Sequence, residues 1–118
     1  MSAPPDIDLE VFRAKLNARK SELANLSAAA ADARQPVELD QQSIGRLSRQ
    51  DALQQQAMAK AQEVRRAIEI RNIDAAMTRI SDGEFGWCAE CGEAIAVKRL
   101  EIDATARLCT PCADGANR

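Results

Sequence analysis

Four cysteines constrain this chain more than any other feature. They are Cys88, Cys91, Cys109 and Cys112, two Cys-x-x-Cys pairs separated by seventeen residues. Such a pair on its own is open to a redox couple, half a metal site or incidental thiols. Two pairs 15–20 residues apart have the spacing of a four-cysteine zinc site. Each pair sets two thiolates on one tight turn, and the residues between fold back to complete a tetrahedron with bonds of about 2.3 Å. Zn²⁺ favours this soft set, and a full thiolate shell leaves no open position for a substrate water. The expectation is therefore one structural zinc ion held by all four. A thioredoxin-like reading needs a single pair inside a βαβ pattern, which neither pair has. Iron–sulfur chemistry is open to four cysteines, but two matched pairs favour zinc.

Composition explains why a metal is needed. Aromatics make up 3% of the 118 residues, with Trp87, Phe12 and Phe85 the whole supply, and much of the apolar content is alanine. The 34 residues from Phe85 onward bury too little to fold unaided, whereas zinc contributes on the order of 10 kcal/mol to such modules. Phe85, Trp87, Ile95, Val97, Leu100 and Leu108 are the expected small core around it.

The rest reads as helix. From Asp6 to about Arg34 there is no Pro or Gly, and Leu9, Phe12, Leu16, Arg19, Leu23, Leu26, Ala30 and Ala33 alternate steps of three and four. That is a heptad seam, with Asp6 the expected N-cap. Gln35-Pro36 ends it. A polar connection with Glu38 and Asp40 leads to Ser48-Arg49-Gln50-Asp51, which resembles a capping box with Ser48 as cap. A second helix runs to about Ser81, with apolar positions Leu53, Ala57, Ala61, Val64 and Ile68, then Ile73, Met77 and Ile80. Its seam is expected to slip near Arg71-Asn72. Ser81-Asp82-Gly83 is the expected stop.

Two long helices on a short connection predict a mainly α fold, an antiparallel coiled-coil hairpin over 6–82 with its tip at about 35–52, then a four-cysteine module over 83–118. The arms would be roughly 40–50 Å long. A plain bundle or dimeric coiled coil is the alternative for the helical part.

Charge and composition exclude several functions. The net charge is −2 and becomes about −4 with four thiolates and Zn²⁺ in place. Residues 88–118 set Lys98, Arg99, Arg107 and Arg118 against Glu90, Glu93, Glu101, Asp103 and Asp114, so no basic face for DNA is expected. The N-terminus lacks the pattern of a secretory signal and no apolar run approaches a membrane span, so a soluble cytoplasmic protein is expected. With no His, no phosphate loop and no carboxylate pair in a recognisable pocket, an enzyme is not expected.

The order of parts, and the stretch "RISDGEFGWCAECGEAIAVKRLEIDATARLCTPC", resemble the DksA/TraR family of bacterial transcription regulators. Cys88, Cys91, Ile95, Arg99, Cys109 and Cys112 match its signature, while Ala104 stands at its proline and Ala89 at a usually polar position. The resemblance implies a non-enzymatic regulator that inserts its coiled-coil tip into the secondary channel of RNA polymerase. Acidic tip residues of the family follow Asp-x-x-Asp-x-Ala, and this chain offers Ser48, Asp51 and Ala52 there, with Glu38 and Asp40 in the connection. Asp51 is the leading tip candidate, with a capping role the alternative. Basic residues that bind the alarmone ppGpp in the family fall here at Asn72, Asp103 and Ala113, none of them basic, so ppGpp is not expected at that junction. The chain runs six residues past Cys112, short of the terminal helix that longer members carry. A zinc-stapled adaptor for another protein partner is the alternative function.

Overall fold

The computed structural model describes residues 3–31 and 46–116. Four helices follow in order: α1 (Leu9–Ala29), α2 (Arg46–Asp82), α3 (Val97–Ile102) and α4 (Thr110–Ala116). Among the described residues there is no named strand, only one antiparallel bridge joining Trp87 and Ala94. The fold is mainly α, a helical hairpin of α1 and α2 followed by the cysteine module. Two compact units divide it: residues 1–20 with 70–118, and residues 21–69. Both long helices contribute to both units.

α1 starts two residues later than Asp6 suggested. Asp8 is the cap, its Oδ1 accepting the backbone N–H groups of Glu10 at 3.0 Å and Val11 at 3.4 Å. That satisfies donors that a helix start leaves without partners. Ile7 before the cap and Phe12 after it have the spacing of a hydrophobic staple. The helix ends at Ala29, short of Arg34. Ala30 N–H still reaches Leu26 O, but Ala31 N–H reaches back only three residues to Ala28 O, a tightened final turn. Alanine has high helix propensity but buries little, and packing rather than propensity sets where a helix ends.

α2 stops as its sequence predicts. Gly83 takes φ +76°, its N–H bonds to Ile80 O at 3.3 Å, and Glu84 N–H bonds to Arg79 O at 2.8 Å. This is the Schellman pattern, with glycine at the left-handed position. The start differs from expectation. The helix is already under way at Arg46, so Ser48 lies in its first turn and is not the cap. Asp51 is then six residues in and exposed, which removes the capping role. Glu38 and Asp40 lie outside the described residues, as does the side chain of Ser48; Ala52 is half-buried.

In the first unit the two long helices run antiparallel. Phe12 packs against Phe85, just past the end of α2, with tilted rings and centroids 5.4 Å apart, and Lys20 Nζ meets Asp74 Oδ1 at 2.7 Å, so moving up α1 moves down α2. Phe12, Leu16, Ile73, Ala76 and Ile80 are buried with Phe85, Ile95, Leu100 and Ala106. The helix bases and the cysteine module therefore share one core. Of the six residues expected around the metal, Phe85, Ile95 and Leu100 are fully buried, whereas Trp87, Val97 and Leu108 are half-buried. A segment with no expected role also packs here. Pro4 is buried, and a Cβ at Gly86 would stand 2.8 Å from its Cδ and 2.5 Å from Ile7 Cδ1.

In the second unit Leu23 is 1% exposed, but the apolar stripe read along α2 is not its buried face. Leu53, Ala57, Ala61, Val64 and Ile68 are all exposed. The less accessible positions are Ala52, Gln56, Ala59, Glu63, Arg66, Glu69 and Ile70, and all but Glu69 lead into Ile73, Met77 and Ile80 in unbroken steps of three and four. The seam thus does not slip at Arg71-Asn72. It continues with polar residues, and Arg66 Nε donates to Ser27 Oγ of α1 at 3.1 Å while its guanidinium pairs with Glu63 at 3.0 Å. A hydrogen-bonded pair is satisfied without apolar neighbours, which is why hydrophobicity alone picked the wrong face. Leu26 of α1, also expected on the seam, is 46% exposed.

Candidate metal centre

The first cysteine pair sits in a tight backbone hairpin. Ile95 N–H bonds to Gly86 O at 2.8 Å and Cys88 N–H to Glu93 O at 2.7 Å, bracketing the Trp87–Ala94 bridge. Gly92 closes the turn with φ +77° and its N–H on Cys88 O at 3.0 Å. A residue with a Cβ rarely adopts that φ, so glycine has a local reason here. The second pair has a different frame. Cys109 directly precedes α4 and Cys112 lies within it, with Ala113 N–H on Cys109 O at 2.9 Å.

Two bonds hold the frames together. Ala89 N–H donates to Arg107 O at 2.8 Å, tying the first turn to the strand of chain that leads into Cys109. Arg99, on α3, donates from Nε to Leu108 O at 2.9 Å. The segment between α3 and α4 is itself fixed by Asp103, whose Oδ1 accepts from Thr105 Oγ1 at 2.6 Å and Thr105 N–H at 3.0 Å. Arg79 of α2 reaches the same segment, donating to Thr105 O at 3.2 Å. Burial, and then the neighbouring Arg107, hold the Arg79 guanidinium below its ordinary pKa. The seventeen-residue spacer is thus a short helix plus two pinned turns. Spacing alone carried none of these pins; Arg99 was visible only as a signature residue.

The result brings the four sulfurs together. All four Sγ atoms lie within 4.8 Å of one another, and Cys91 and Cys109 are 3.6 Å apart. Four sulfurs at 2.3 Å from a shared tetrahedral centre would be about 3.8 Å apart, so the cluster has the size that zinc requires. No pair is at the roughly 2.05 Å of a disulfide, and all four are free thiols. Cys88 is buried, Cys109 and Cys112 are half-buried and Cys91 is exposed.

The electrostatics of the cluster suit a cation. Cys88 accepts backbone N–H groups of Cys109, then Cys91, which draw its thiol down to about 6. At Cys91 the N–H of Glu93 pulls the same way, but the thiols of Cys109 and Cys88 outweigh it and the pKa rises. The Cys112 thiol is also pushed up, by Cys109 and Cys88 first and then by burial. One thiolate is stabilised by dipoles while its neighbours resist ionising beside it. A dication supplies the charge that lets all four ionise, and the closed sulfur set then leaves it no catalytic position. The residues present fit one structural zinc ion.

Comparison with known proteins agrees. The family model described as "Prokaryotic dksA/traR C4-type zinc finger" matches residues 83–118. The RNA polymerase-binding transcription factor DksA of Escherichia coli (strain K12) is 36% identical over 62 residues, covering 44% of this chain and 41% of that protein. The chain therefore spans well under half the length of that relative. The protein of the same name from Caulobacter vibrioides is 31% identical over 114 residues, covering 87% of this chain and 71% of the relative. Among solved structures, the transcription factor DksA2 from Pseudomonas aeruginosa superposes with a TM-score of 0.73 over 92% of this chain and 82% of its own, at 24% identity. That last likeness concerns the fold.

Proposed function

We propose the function from one established premise: this chain belongs to the DksA/TraR family of zinc-finger transcription regulators. On that premise it acts as a non-enzymatic regulator that binds RNA polymerase through the secondary channel, with the far end of the hairpin as the active part. The observation that carries the reading is the similarity across 87% of the chain to a relative named as an RNA polymerase-binding transcription factor. Cys88, Cys91, Cys109 and Cys112 hold the zinc ion, which supplies no reaction and keeps the module folded against the helix bases. With the cysteines committed to structure, function falls to the hairpin arm.

At the arm, Asp51 is the candidate effector. It is exposed, and it lies inside α2 where no capping duty accounts for it. Ser48 and Ala52 flank it on the helix, and Glu38 and Asp40 complete the proposed acidic set. The protein works in the cytoplasm, and no helix among the described residues is long and apolar enough to cross a membrane. Binding of ppGpp is not proposed at Asn72, Asp103 and Ala113. Asp103 spends its carboxylate on Thr105, and a carboxylate there repels a pyrophosphate.

The test is capture of purified RNA polymerase by the zinc-loaded protein, with a known secondary-channel factor as competitor. Retention that the competitor abolishes is the expected result. Folded, zinc-loaded protein that retains no polymerase would refute the reading and leave an adaptor for another partner.

A further inference from the structure

The outward face of α2 in the second unit is apolar where the seam is polar. Val64 and Ile68 each lie two residues from Arg66, and Ala61 two from Glu63; at about 100° per residue, two steps reach the far side of a helix. Arg66 and Glu63 mark the side facing α1 through the Arg66–Ser27 hydrogen bond. Leu53, Val64 and Ile68 are 50%, 59% and 47% exposed, with exposed Ala57 and Ala61 between them. The stripe runs more than four helical turns, and no seam demand explains it, since a polar seam already occupies the other side. A continuous apolar stripe on a soluble helix marks a contact surface.

Charge identifies what covers it. The chain as a whole is acidic, with net charge −2, yet the basic residues bordering this stripe, Lys60 and Arg65, are exposed, and no carboxylate shares the face. The acids of this stretch lie outside the stripe: Glu63 on the seam, Asp51 and Glu69 on the flank beyond Arg65. A second copy laid on the stripe would bring Lys60 and Arg65 against their own kind, which disfavours self-association. From this we infer that Leu53, Ala57, Ala61, Val64 and Ile68, flanked by Lys60 and Arg65, form a docking face for an apolar surface bordered by acidic residues. Resting on the polymerase reading above, that surface belongs to RNA polymerase. The arm is then gripped along one face of α2, and Asp51 is positioned by that grip.

The experiment measures binding of fluorescently labelled, zinc-loaded full-length protein to purified RNA polymerase. The probes are wild type, Val64→Glu/Ile68→Glu, Lys60→Glu/Arg65→Glu and, as a control on the other helix, Leu26→Glu. Both apolar positions are exposed, so helicity by circular dichroism should match wild type. Loss of two desolvated contacts is expected to weaken binding by about tenfold or more. Lys60→Glu/Arg65→Glu should slow association and flatten its salt dependence, and Leu26→Glu should bind as wild type does. Wild-type binding that survives Val64→Glu/Ile68→Glu unchanged overturns the docking face and spares the polymerase reading. A wild-type dimer dissociated by Val64→Glu/Ile68→Glu overturns the choice of partner. Absence of wild-type binding overturns the polymerase reading and this inference with it.

Discussion

Gly86→Ala tests how the N-terminal segment, the helix bases and the cysteine module share one core. Gly86 is buried with φ +89°, a conformation that L side chains rarely adopt. Alanine there carries about 1–2 kcal/mol of backbone strain. Its Cβ would also stand 2.5 Å from Ile7 Cδ1 and 2.8 Å from Pro4 Cδ, closer than carbon atoms approach. Ile7 can rotate away, but the ring of buried Pro4 cannot, so overpacking adds about 1–3 kcal/mol. The expected total is about 2–5 kcal/mol. Gly92 separates the two terms. It too has positive φ, +77°, but an added Cβ would meet nothing within 4 Å, so Gly92→Ala carries the strain alone. Adding Ile7→Ala to Gly86→Ala relieves the nearer clash and should make the double variant cost less than the two single costs added together. The assay is urea denaturation at fixed excess zinc, followed by fluorescence of Trp87, the chain's one tryptophan and the next residue along. Equal costs for Gly86→Ala and Gly92→Ala, with strictly additive Ile7→Ala, would refute the packing of Pro4 and Ile7 on this turn.

The remaining predictions concern the seam, the metal and the arm. Leu23→Ala should cost about 2–5 kcal/mol because the side chain is buried, while Leu53→Ala should stay within about 0.5 kcal/mol; thermal unfolding by circular dichroism compares them, and the reverse order would restore the apolar stripe as the seam. Cys91→Ser should release zinc, measured with a chromogenic chelator, and should cost helicity at the bases of α1 and α2 as well as in the module, because Phe12 and Phe85 share that core. In metal-free protein the Cys88 thiol is depressed from 9.0 to about 6, so its contribution to stability is present in full above pH 9.0 and is lost as pH falls through about 6. Protons compete with zinc for the same sulfurs, so zinc affinity should fall as the pH is lowered, and an affinity independent of pH would contradict a thiolate site. Asp51→Asn should leave helicity and zinc content unchanged but alter transcription by polymerase in vitro; a loss of helix content would return Asp51 to a capping role.

The metal centre was legible from sequence because zinc chemistry imposes its own spacing: two Cys-x-x-Cys pairs admit few geometries. Gly83 was legible for a similar reason, since a helix stop needs a left-handed residue. The α2 seam was misread in its distal half because hydrophobicity served as a proxy for burial, and the proxy fails where Arg66, Glu63 and Ser27 satisfy one another. Near Ile73 and Ile80, where the same helix meets Phe12, Leu16 and Phe85 in one core, it held. Asp6 was the expected cap, but Asp8 also precedes the apolar periodic run, and only its side-chain reach to Glu10 and Val11 N–H distinguishes the two. Ile7 has the local staple spacing with Phe12, but the docking of Pro4 and Ile7 on Gly86 is a long-range contact that no periodicity encodes.

In the proposed mode of action, the arm near Asp51 meets RNA polymerase while the zinc module serves as a scaffold. Site-specific photocrosslinking addresses it directly, with a photoreactive residue at position 51 and, in a separate protein, at position 102, where Ile102 is 88% exposed on the module. The prediction is a strong crosslink from position 51 to a polymerase subunit, abolished by a secondary-channel competitor and by chelating the zinc, with a weak one or none from position 102. A crosslink from position 102 with none from 51, in folded and zinc-loaded protein, would contradict it.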